Sequence, residues 1–159
     1  MIGTNELVIS VSYSQLAVFD HSLERPFNEW TDTHVAQGFS WRPGSVAFRT
    51  IEQGGQHLVT VGLEAQESDP APDAIRIIDA PFEVPPSGAI EIGSISDSVL
   101  LELPSDIYQL RFECYERANG ATPRVHLLFY RNSNPRFEVV RADSELNPGA
   151  DLLLIASPA

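Results

Sequence analysis

The chain has 159 residues, of which 43% are hydrophobic and 20% charged, a composition typical of a folded globular protein rather than of a disordered one. Its 22 acidic residues against ten basic residues, all of them arginine, give a formal net charge of −12 at pH 7, which disfavours direct binding to DNA or RNA phosphates. The apolar runs are too short to cross a bilayer, and the first residues lack the basic and apolar regions of a signal peptide. We therefore expect a cytoplasmic protein without membrane contact, folded as a single β domain over residues 1–159.

Alternation of apolar and polar residues is the dominant pattern, and it indicates half-buried β-strands. The first strand is predicted to place Leu7, Ile9, Val11 and Tyr13 on one apolar face. Similar segments predict further strands near residues 46–51, 57–65, 75–84, 90–92, 99–103, 125–129, 137–140 and 152–155.

The clearest strand lies between residues 108 and 114. Its apolar residues are predicted to point inward: Tyr108, Leu110, Phe112 and Cys114. The intervening polar residues are expected to face water: Gln109, Arg111 and Glu113. The single cysteine, Cys114, is therefore expected to be a core residue, since a buried free cysteine behaves as a small hydrophobic side chain.

Three segments break the regular alternation. Gly54-Gly55 is typical of a tight hairpin turn, so the strands at 46–51 and 57–65 are predicted to be joined by it. The phase of the alternation changes within residues 75–84, and Pro81 cannot donate a ladder hydrogen bond, which indicates a bulge or an edge strand. Residues 30–38 are predicted to form a short helix, with Asp32 as its N-cap and Gly38 at its end.

About nine short strands with one short helix predict a mostly β protein, an antiparallel β-sandwich or flattened barrel. The four histidines (residues 21, 34, 57 and 126) show no metal-ligand spacing, and they are interpreted as surface or interface residues. The sequence contains neither a serine nucleophile elbow nor a glycine-rich phosphate loop. We expect no catalytic residues, no metal site and no cofactor.

Several segments, taken in order, resemble the competence protein J family. The matching segments are Glu6–Gln15, Val18-Phe19, Pro26, Trp30–Asp32, Gln37–Phe39, Pro81–Val84, Ile92–Ile95, Leu103–Leu110 and, more weakly, Asp151–Ile155. The resemblance implies a cytosolic inhibitor of the DNA-entry nuclease of natural transformation, acting by forming a complex with that nuclease. Residues 116–149 form a longer segment than the family leads one to expect.

The acidity acquires a functional interpretation from this resemblance. Net charge of this size can simply keep a protein soluble, but it also attracts basic protein surfaces, and a nuclease presents a basic groove to DNA. The predicted contact surface is the helix and loop from Glu29 to Trp41, with Glu29, Trp30, Asp32 and Trp41 as the partner-binding residues. Tryptophan beside charge is typical of interface hot spots, although Trp30 could equally cover the sandwich and Asp32 could simply cap the helix.

Two other functions remain open from the sequence. An immunity-type or carbohydrate-binding module on the same fold would use the tryptophans in a concave aromatic patch. An enzyme of unrecognised type would need a histidine paired with a carboxylate in a cleft.

Overall fold

The computed structural model describes residues 3–159, which form eleven β-strands and one short helix. In chain order the elements are β1 (Gly3–Val11), β2 (Gln15–Asp20), α1 (Asp32–Gln37), β3 (Phe39–Arg42), β4 (Ser45–Arg49), β5 (Gly55–Glu64), β6 (Ala74–Glu83), β7 (Ala89–Ser94), β8 (Asp97–Glu102), β9 (Ile107–Tyr115), β10 (Arg124–Arg131) and β11 (Glu138–Arg141).

The strands form two sheets. The six-stranded sheet has the order β1-β5-β10-β9-β6-β11, and the five-stranded sheet has the order β3-β4-β2-β7-β8. Neighbouring strands are antiparallel except β5 and β10, which run parallel. Neither sheet closes on itself, so the predicted mostly β sandwich is confirmed, with eleven strands in the described residues rather than about nine.

The core lies between the sheets and contains side chains from both. Phe48 of β4 stacks on Phe112 of β9, with ring centroids 4.7 Å apart. Tyr108, Leu110 and Cys114 are buried in the same cluster, which confirms the predicted inward face of β9. Burial raises the pKa of the Cys114 thiol to about 12, so the thiol stays protonated and unreactive at neutral pH.

The polar residues of β9 are also buried, contrary to the expectation that they face water: Gln109, Arg111 and Glu113. Gln109 and Arg111 donate hydrogen bonds to the carbonyl oxygens of Arg136 and Ser68, and the Glu113 carboxylate accepts one from a backbone N–H. Loops before β6 and before β11 therefore cover the outer face of the six-stranded sheet. Alternation records polarity and not solvent access, so a polar side chain beneath a loop resembles a surface residue in the sequence.

The Gly54-Gly55 turn does not close a hairpin. β4 and β5, on either side of it, belong to different sheets, so the predicted pairing of these strands is wrong. Gly55 has a φ of 96°, a left-handed value that glycine adopts without steric cost, and the turn carries the chain from one sheet to the other.

Three further strand predictions have definite outcomes. Tyr13 does not continue the apolar face of β1, because it lies in the following turn and is 78% exposed. Residues 152–155 form no strand and instead run along α1. β6 has a bulge, with a register shift between Ala74 and Arg76, but the phase change at Ile77-Ile78 lies beyond it: Ile77 packs with Ala74 and Tyr115, whereas Ile78 joins the main core. β6 is not an edge strand, because it lies between β9 and β11.

The N-cap of α1 is Thr31 rather than Asp32. The Thr31 side chain accepts a hydrogen bond from the His34 backbone N–H, and the Thr31 N–H donates to His34 Nδ1 at 3.0 Å. Asp32 is thus the first helical residue, where a carboxylate interacts favourably with the helix dipole. Gly38 ends the helix in the left-handed conformation, with a φ of 92°, as predicted.

Candidate protein-interaction surface

The outer face of the five-stranded sheet is apolar near its centre. Ala17, Phe19 and Ala47 form a small buried cluster there, and Phe27 and Trp30 pack against it from the segment between β2 and α1. The Trp30 indole N–H donates to Gln15 Oε1 at 3.3 Å. Trp30 therefore covers the sheet and is half-buried, and its ring lies edge-on to His34 of α1, with ring centroids 6.5 Å apart.

The C-terminal segment holds α1 in place. His34 Nδ1 accepts the hydrogen bond of the helix cap, so Nε2 donates to the carbonyl oxygen of Ile155, at 3.1 Å. The Gln37 amide donates to the carbonyl oxygen of Leu153 and accepts from its N–H, each at 2.9 Å. The six-residue helix thus owes its position to tertiary contacts, as expected for a helix too short to be stable alone.

A pocket of about 500 Å³ opens beside Trp30. We call it the Trp30 pocket, and its lining residues are Tyr13, Ser14, Gln15, Trp30, Val35, Arg49 and Ile95. Large apolar side chains are exposed at its rim, with Tyr13 at 78%, Ile95 at 51% and Val35 at 40% of their full accessibility. Its volume lies in the range of ligand-binding pockets in proteins.

The turn that presents Tyr13 has an unusual backbone. Tyr13 and Ser14 have φ values of 55° and 56°, and no other non-glycine residue among the described residues has a positive φ. The left-handed region is unfavourable for residues with a Cβ atom, and a bulky side chain is rare there. The turn connects β1 in one sheet to β2 in the other.

Hydrogen bonds hold this turn in its conformation. The buried Ser94 hydroxyl lies 3.1 Å from the Ser12 carbonyl oxygen and 2.9 Å from that of Gln15, and it accepts from the Ser12 N–H at 2.9 Å. The N–H and the carbonyl oxygen of Ser14 bond to the backbone of residues 50–53. The strained conformation is therefore enforced by two separate parts of the chain, Ser94 and residues 50–53.

The predicted contact residues divide into two groups. Glu29 and Asp32 are exposed beside Trp30, and their carboxylates form no ion pair with the described residues. Trp41 lies on the other face of the five-stranded sheet, where its indole N–H donates to the Pro81 carbonyl oxygen at 2.7 Å. The expectation that both tryptophans share one surface is therefore wrong.

Alternation explains this separation. Residues of β3 point in turn to the two faces of the sheet, and Trp41 follows the parity of buried Phe39, toward the core. Trp41 also contacts Phe137 edge-on, with ring centroids 5.1 Å apart. A carbohydrate-binding patch built from both tryptophans is thus not formed.

Of the seven residues that line the Trp30 pocket, Trp30 and Val35 belong to the predicted segment, and sequence reasoning missed the other five: Tyr13, Ser14, Gln15, Arg49 and Ile95. Tyr13 continued the alternation of β1, so it was expected to point inward. No glycine or asparagine marks the left-handed turn in the sequence, and Arg49 and Ile95 lie on separate parts of the chain that only the fold brings together.

All ten arginines have a partner within the molecule. Six pair with carboxylates at 3.8 Å or less: Arg49, Arg76, Arg111, Arg117, Arg131 and Arg136. The other four bond to carbonyl or amide oxygens or lie over an aromatic ring: Arg25, Arg42, Arg124 and Arg141. Each arginine therefore has a partner within the molecule, although several guanidinium groups are half-exposed, whereas the exposed carboxylates of Glu29 and Asp32 form no ion pair within the described part of the chain.

The histidines are structural in different ways. His34 and His57 are buried, so the expectation that all four lie at a surface is wrong for these two. His21 pairs with Glu91 at 2.8 Å, and His126 Nδ1 lies 3.1 Å from the Tyr115 hydroxyl. Within residues 3–159, no three acidic, histidine or cysteine side chains are grouped so as to hold a metal ion, and no helix is long and apolar enough to span a membrane.

Comparison with known proteins gives concordant results. The family model of competence protein J (ComJ) matches residues 8–132. A protein of Bacillus subtilis (strain 168) described as a DNA-entry nuclease inhibitor is 28% identical over 103 residues, which are 64% of this chain and 75% of that protein. The crystal structure of Bacillus subtilis ComJ, described as an inhibitor of the DNA-degrading activity of NucA, has a similar fold, with a TM-score of 0.72 at 22% identity over 83% of this chain and 99% of that one.

The family model covers the sequence from β1 through β10. Residues 133–159, which include β11 and the segment against α1, lie beyond the matched range. Neither relative is described as an enzyme, which agrees with the expectation for this chain. The chain belongs to the competence protein J family.

Proposed function

We propose that this protein inhibits a DNA-entry nuclease of the NucA type by forming a protein–protein complex with it, in the cytoplasm and without a cofactor. The match of the family model over residues 8–132 carries the proposal, together with the relative described as a DNA-entry nuclease inhibitor. The likeness to the ComJ crystal structure supports the fold on which this function would depend.

The charge distribution supports a basic partner. The net charge is −12, and every arginine has a partner within the molecule, so the long-range attraction on an approaching basic protein is that of a strongly acidic molecule. A nuclease needs a basic groove for DNA, and opposite charges on two proteins accelerate their association. We place the contact at Glu29, Trp30 and Asp32, because these residues are adjacent and both carboxylates are exposed and form no ion pair with residues 3–159.

A titration of nuclease activity tests the proposal. Increasing amounts of the protein are added to the NucA-type nuclease of the same organism, and DNA degradation is followed. We expect inhibition to be complete near one inhibitor per nuclease, with a complex of the two proteins in size-exclusion chromatography. A gel-shift control should show no binding of the protein to the DNA itself, because binding to the substrate would also slow degradation.

The salt dependence of association tests the role of charge separately. Raising the salt concentration from about 0.05 to 0.5 M should slow the association rate about tenfold or more, because screening shortens the range of electrostatic attraction. The dissociation rate should change much less, since short-range packing governs it. If the protein inhibits the nuclease but the association rate does not depend on salt, the proposed inhibitory function stands and the acidic surface is excluded as the source of the attraction.

A further inference from the structure

The Trp30 pocket exposes apolar side chains that nothing in the described chain covers. Tyr13, Ile95 and Val35 come from a turn, a strand connection and a helix, and each exposes at least 40% of its surface at the rim. Exposed apolar side chains scattered singly are ordinary, but several that converge on one concavity are typical of a binding site.

The turn at Tyr13 is strained and held by hydrogen bonds, which is a second and independent observation. Its φ of 55° places a bulky side chain in a region that such residues avoid, and the Ser94 hydroxyl and the backbone of residues 50–53 enforce it. Strain of this kind persists only where the surrounding structure imposes it, and it is concentrated at binding and catalytic sites. The side chain gained by this conformation is a tyrosine presented almost fully to solvent.

Three polar groups of the pocket are already engaged within the molecule: the Trp30 indole N–H, Gln15 Oε1 and the Arg49 guanidinium. The Trp30 indole N–H and Gln15 Oε1 bond to each other, and Arg49 is engaged by the Glu145 carboxylate at 3.5 Å and by the Val35 carbonyl oxygen at 3.2 Å. A small polar ligand would need unsatisfied, convergent donors and acceptors. The pocket instead suits an apolar side chain.

The charged residues beside the pocket indicate which residues flank the apolar side chain on the partner. Asp32 lies three residues before Val35 and therefore on the same side of α1, and Glu29 precedes Trp30. Both carboxylates are exposed, and neither has an ion-pair partner in the part of the chain that the structure describes. A second copy of this chain is disfavoured as the occupant, because a two-fold symmetric contact would bring the same carboxylates of two strongly acidic molecules together.

We propose that the Trp30 pocket is the anchor site of the inhibitor, which receives an aromatic or long aliphatic side chain that the nuclease presents between lysine or arginine residues. Tyr13 and Ile95 form its walls, and Glu29 and Asp32 pair with the flanking basic residues. This inference rests on the proposed function, since it takes the nuclease as the partner.

Replacement of Tyr13 by glycine separates binding from folding. Tyr13→Gly removes the wall of the pocket and at the same time relieves the backbone strain, so the melting temperature should stay the same or rise. The dissociation constant of the complex should increase about thirtyfold or more, as for truncation of an interface hot spot. Ser14→Gly relieves the neighbouring strain with the tyrosine retained, so it should raise stability similarly and weaken binding far less.

Replacement of Ile95 by alanine tests the opposite wall with a matched control. Ile95→Ala should weaken the complex about tenfold. Val8→Ala truncates another exposed β-branched residue, 57% accessible against 51% for Ile95, on the outer face of the six-stranded sheet. It should change the dissociation constant less than twofold.

The outcomes distinguish the anchor site from the proposed function. If the wild-type protein and the Tyr13→Gly and Ile95→Ala variants all bind the nuclease equally well, the anchor-site proposal is overturned and the proposed inhibitory function stands. A wild-type protein that does not bind the nuclease would overturn both. If the free protein is a homodimer that the Tyr13→Gly substitution dissociates, a second copy of the chain occupies the pocket. If native mass spectrometry shows a bound small molecule that is lost in the Tyr13→Gly variant, that molecule occupies it. Either result would overturn the proposal that the nuclease is the occupant.

Discussion

The outer faces of the two sheets use charge in opposite ways. On the six-stranded sheet, Arg111 pairs with Asp79 at 2.8 Å beneath covering loops, and Arg136 reaches the same carboxylate at 3.0 Å. On the five-stranded sheet, the centre is apolar, the Trp30 pocket opens where β2 begins and β4 and β7 end, and the carboxylates of Glu29 and Asp32 have no partner among the described residues.

This difference shows that the charged residues of the chain have two separate roles, one in the fold and one at the surface. Buried charges of the six-stranded sheet are matched, and no buried side-chain nitrogen or oxygen of the described residues lacks a hydrogen-bond partner. Such charges determine which loop lies where, since an unpaired buried charge is very unfavourable. The exposed carboxylates near Trp30 contribute little to the fold and remain available to a partner.

Removal of a buried carboxylate should have the largest effect. Asp79→Ala leaves the Arg111 guanidinium buried without its carboxylate, and we expect it to lower the free energy of unfolding by about 3–5 kcal/mol in urea denaturation. Asp106→Ala is the matched control, because Asp106 pairs with Arg131 at 3.2 Å with both side chains about half exposed, and it should cost less than about 1 kcal/mol. Equal costs would contradict the distinction between buried and exposed charge.

Charge reversal on the exposed surface should affect binding rather than folding. Glu29→Lys combined with Asp32→Lys should weaken the nuclease complex by about 1–3 kcal/mol, measured by calorimetric titration. Asp32 does not cap α1, so its replacement leaves the cap intact, and only the first-turn dipole interaction is lost.

Asp69→Lys combined with Asp73→Lys changes the charge by the same amount in the loop over the six-stranded sheet. This control should weaken binding much less. If both double variants weaken binding equally, the attraction comes from the overall charge and not from the surface near Trp30.

Replacement of the second tryptophan should have a smaller effect, on stability alone. Trp41→Phe removes the hydrogen bond to the Pro81 carbonyl oxygen and should lower the free energy of unfolding by about 1 kcal/mol. Inhibition should stay within about twofold, since Trp41 faces the core. A folded Trp41→Phe variant with strongly reduced inhibition would restore Trp41 to the contact surface.

Among these predictions, acidification from pH 7.5 to about 5.5 should have the smallest effect on stability. Burial lowers the pKa of His57 and of His126 from the ordinary value of 6.5, so below that pH the unfolded chain binds protons that the folded chain does not. Stability should therefore fall as the pH is lowered from 7.5 to about 5.5, and His57→Gln and His126→Gln should each flatten this dependence. Hydrogen bonds from Arg136 lower the pKa of the Glu67 carboxyl below its ordinary 4.5, so its contribution is lost only at lower pH.

The sequence predicts the core better than the surface. Tyr108, Leu110, Phe112 and Cys114 point inward as their spacing indicates, because alternation in a strand corresponds directly to the two faces of a sheet. The burial of Arg111 cannot be obtained in the same way, since its covering loop and its carboxylate partner come from distant parts of the chain.

Strand pairing and the residues of the candidate site are still harder to predict from the sequence. Gly54-Gly55 marks a turn correctly, but a turn within a sheet and a turn between sheets have the same local signal. Trp30 and its flanking carboxylates could be identified as a group because they are neighbours in the chain. Tyr13 could not be, because its left-handed backbone is imposed by Ser94 and by residues 50–53 and not by its own sequence.

The central claim is that the surface around the Trp30 pocket binds the nuclease. Hydroxyl-radical footprinting of the free protein and of the complex tests it directly, because oxidation reports the accessibility of individual side chains. We predict strong protection of Tyr13, Trp30 and Ile95 in the complex, with Val8 on the opposite outer face unchanged. Protection of Val8 and of the loop at residues 65–73, with Tyr13 as reactive as in the free protein, would contradict the account.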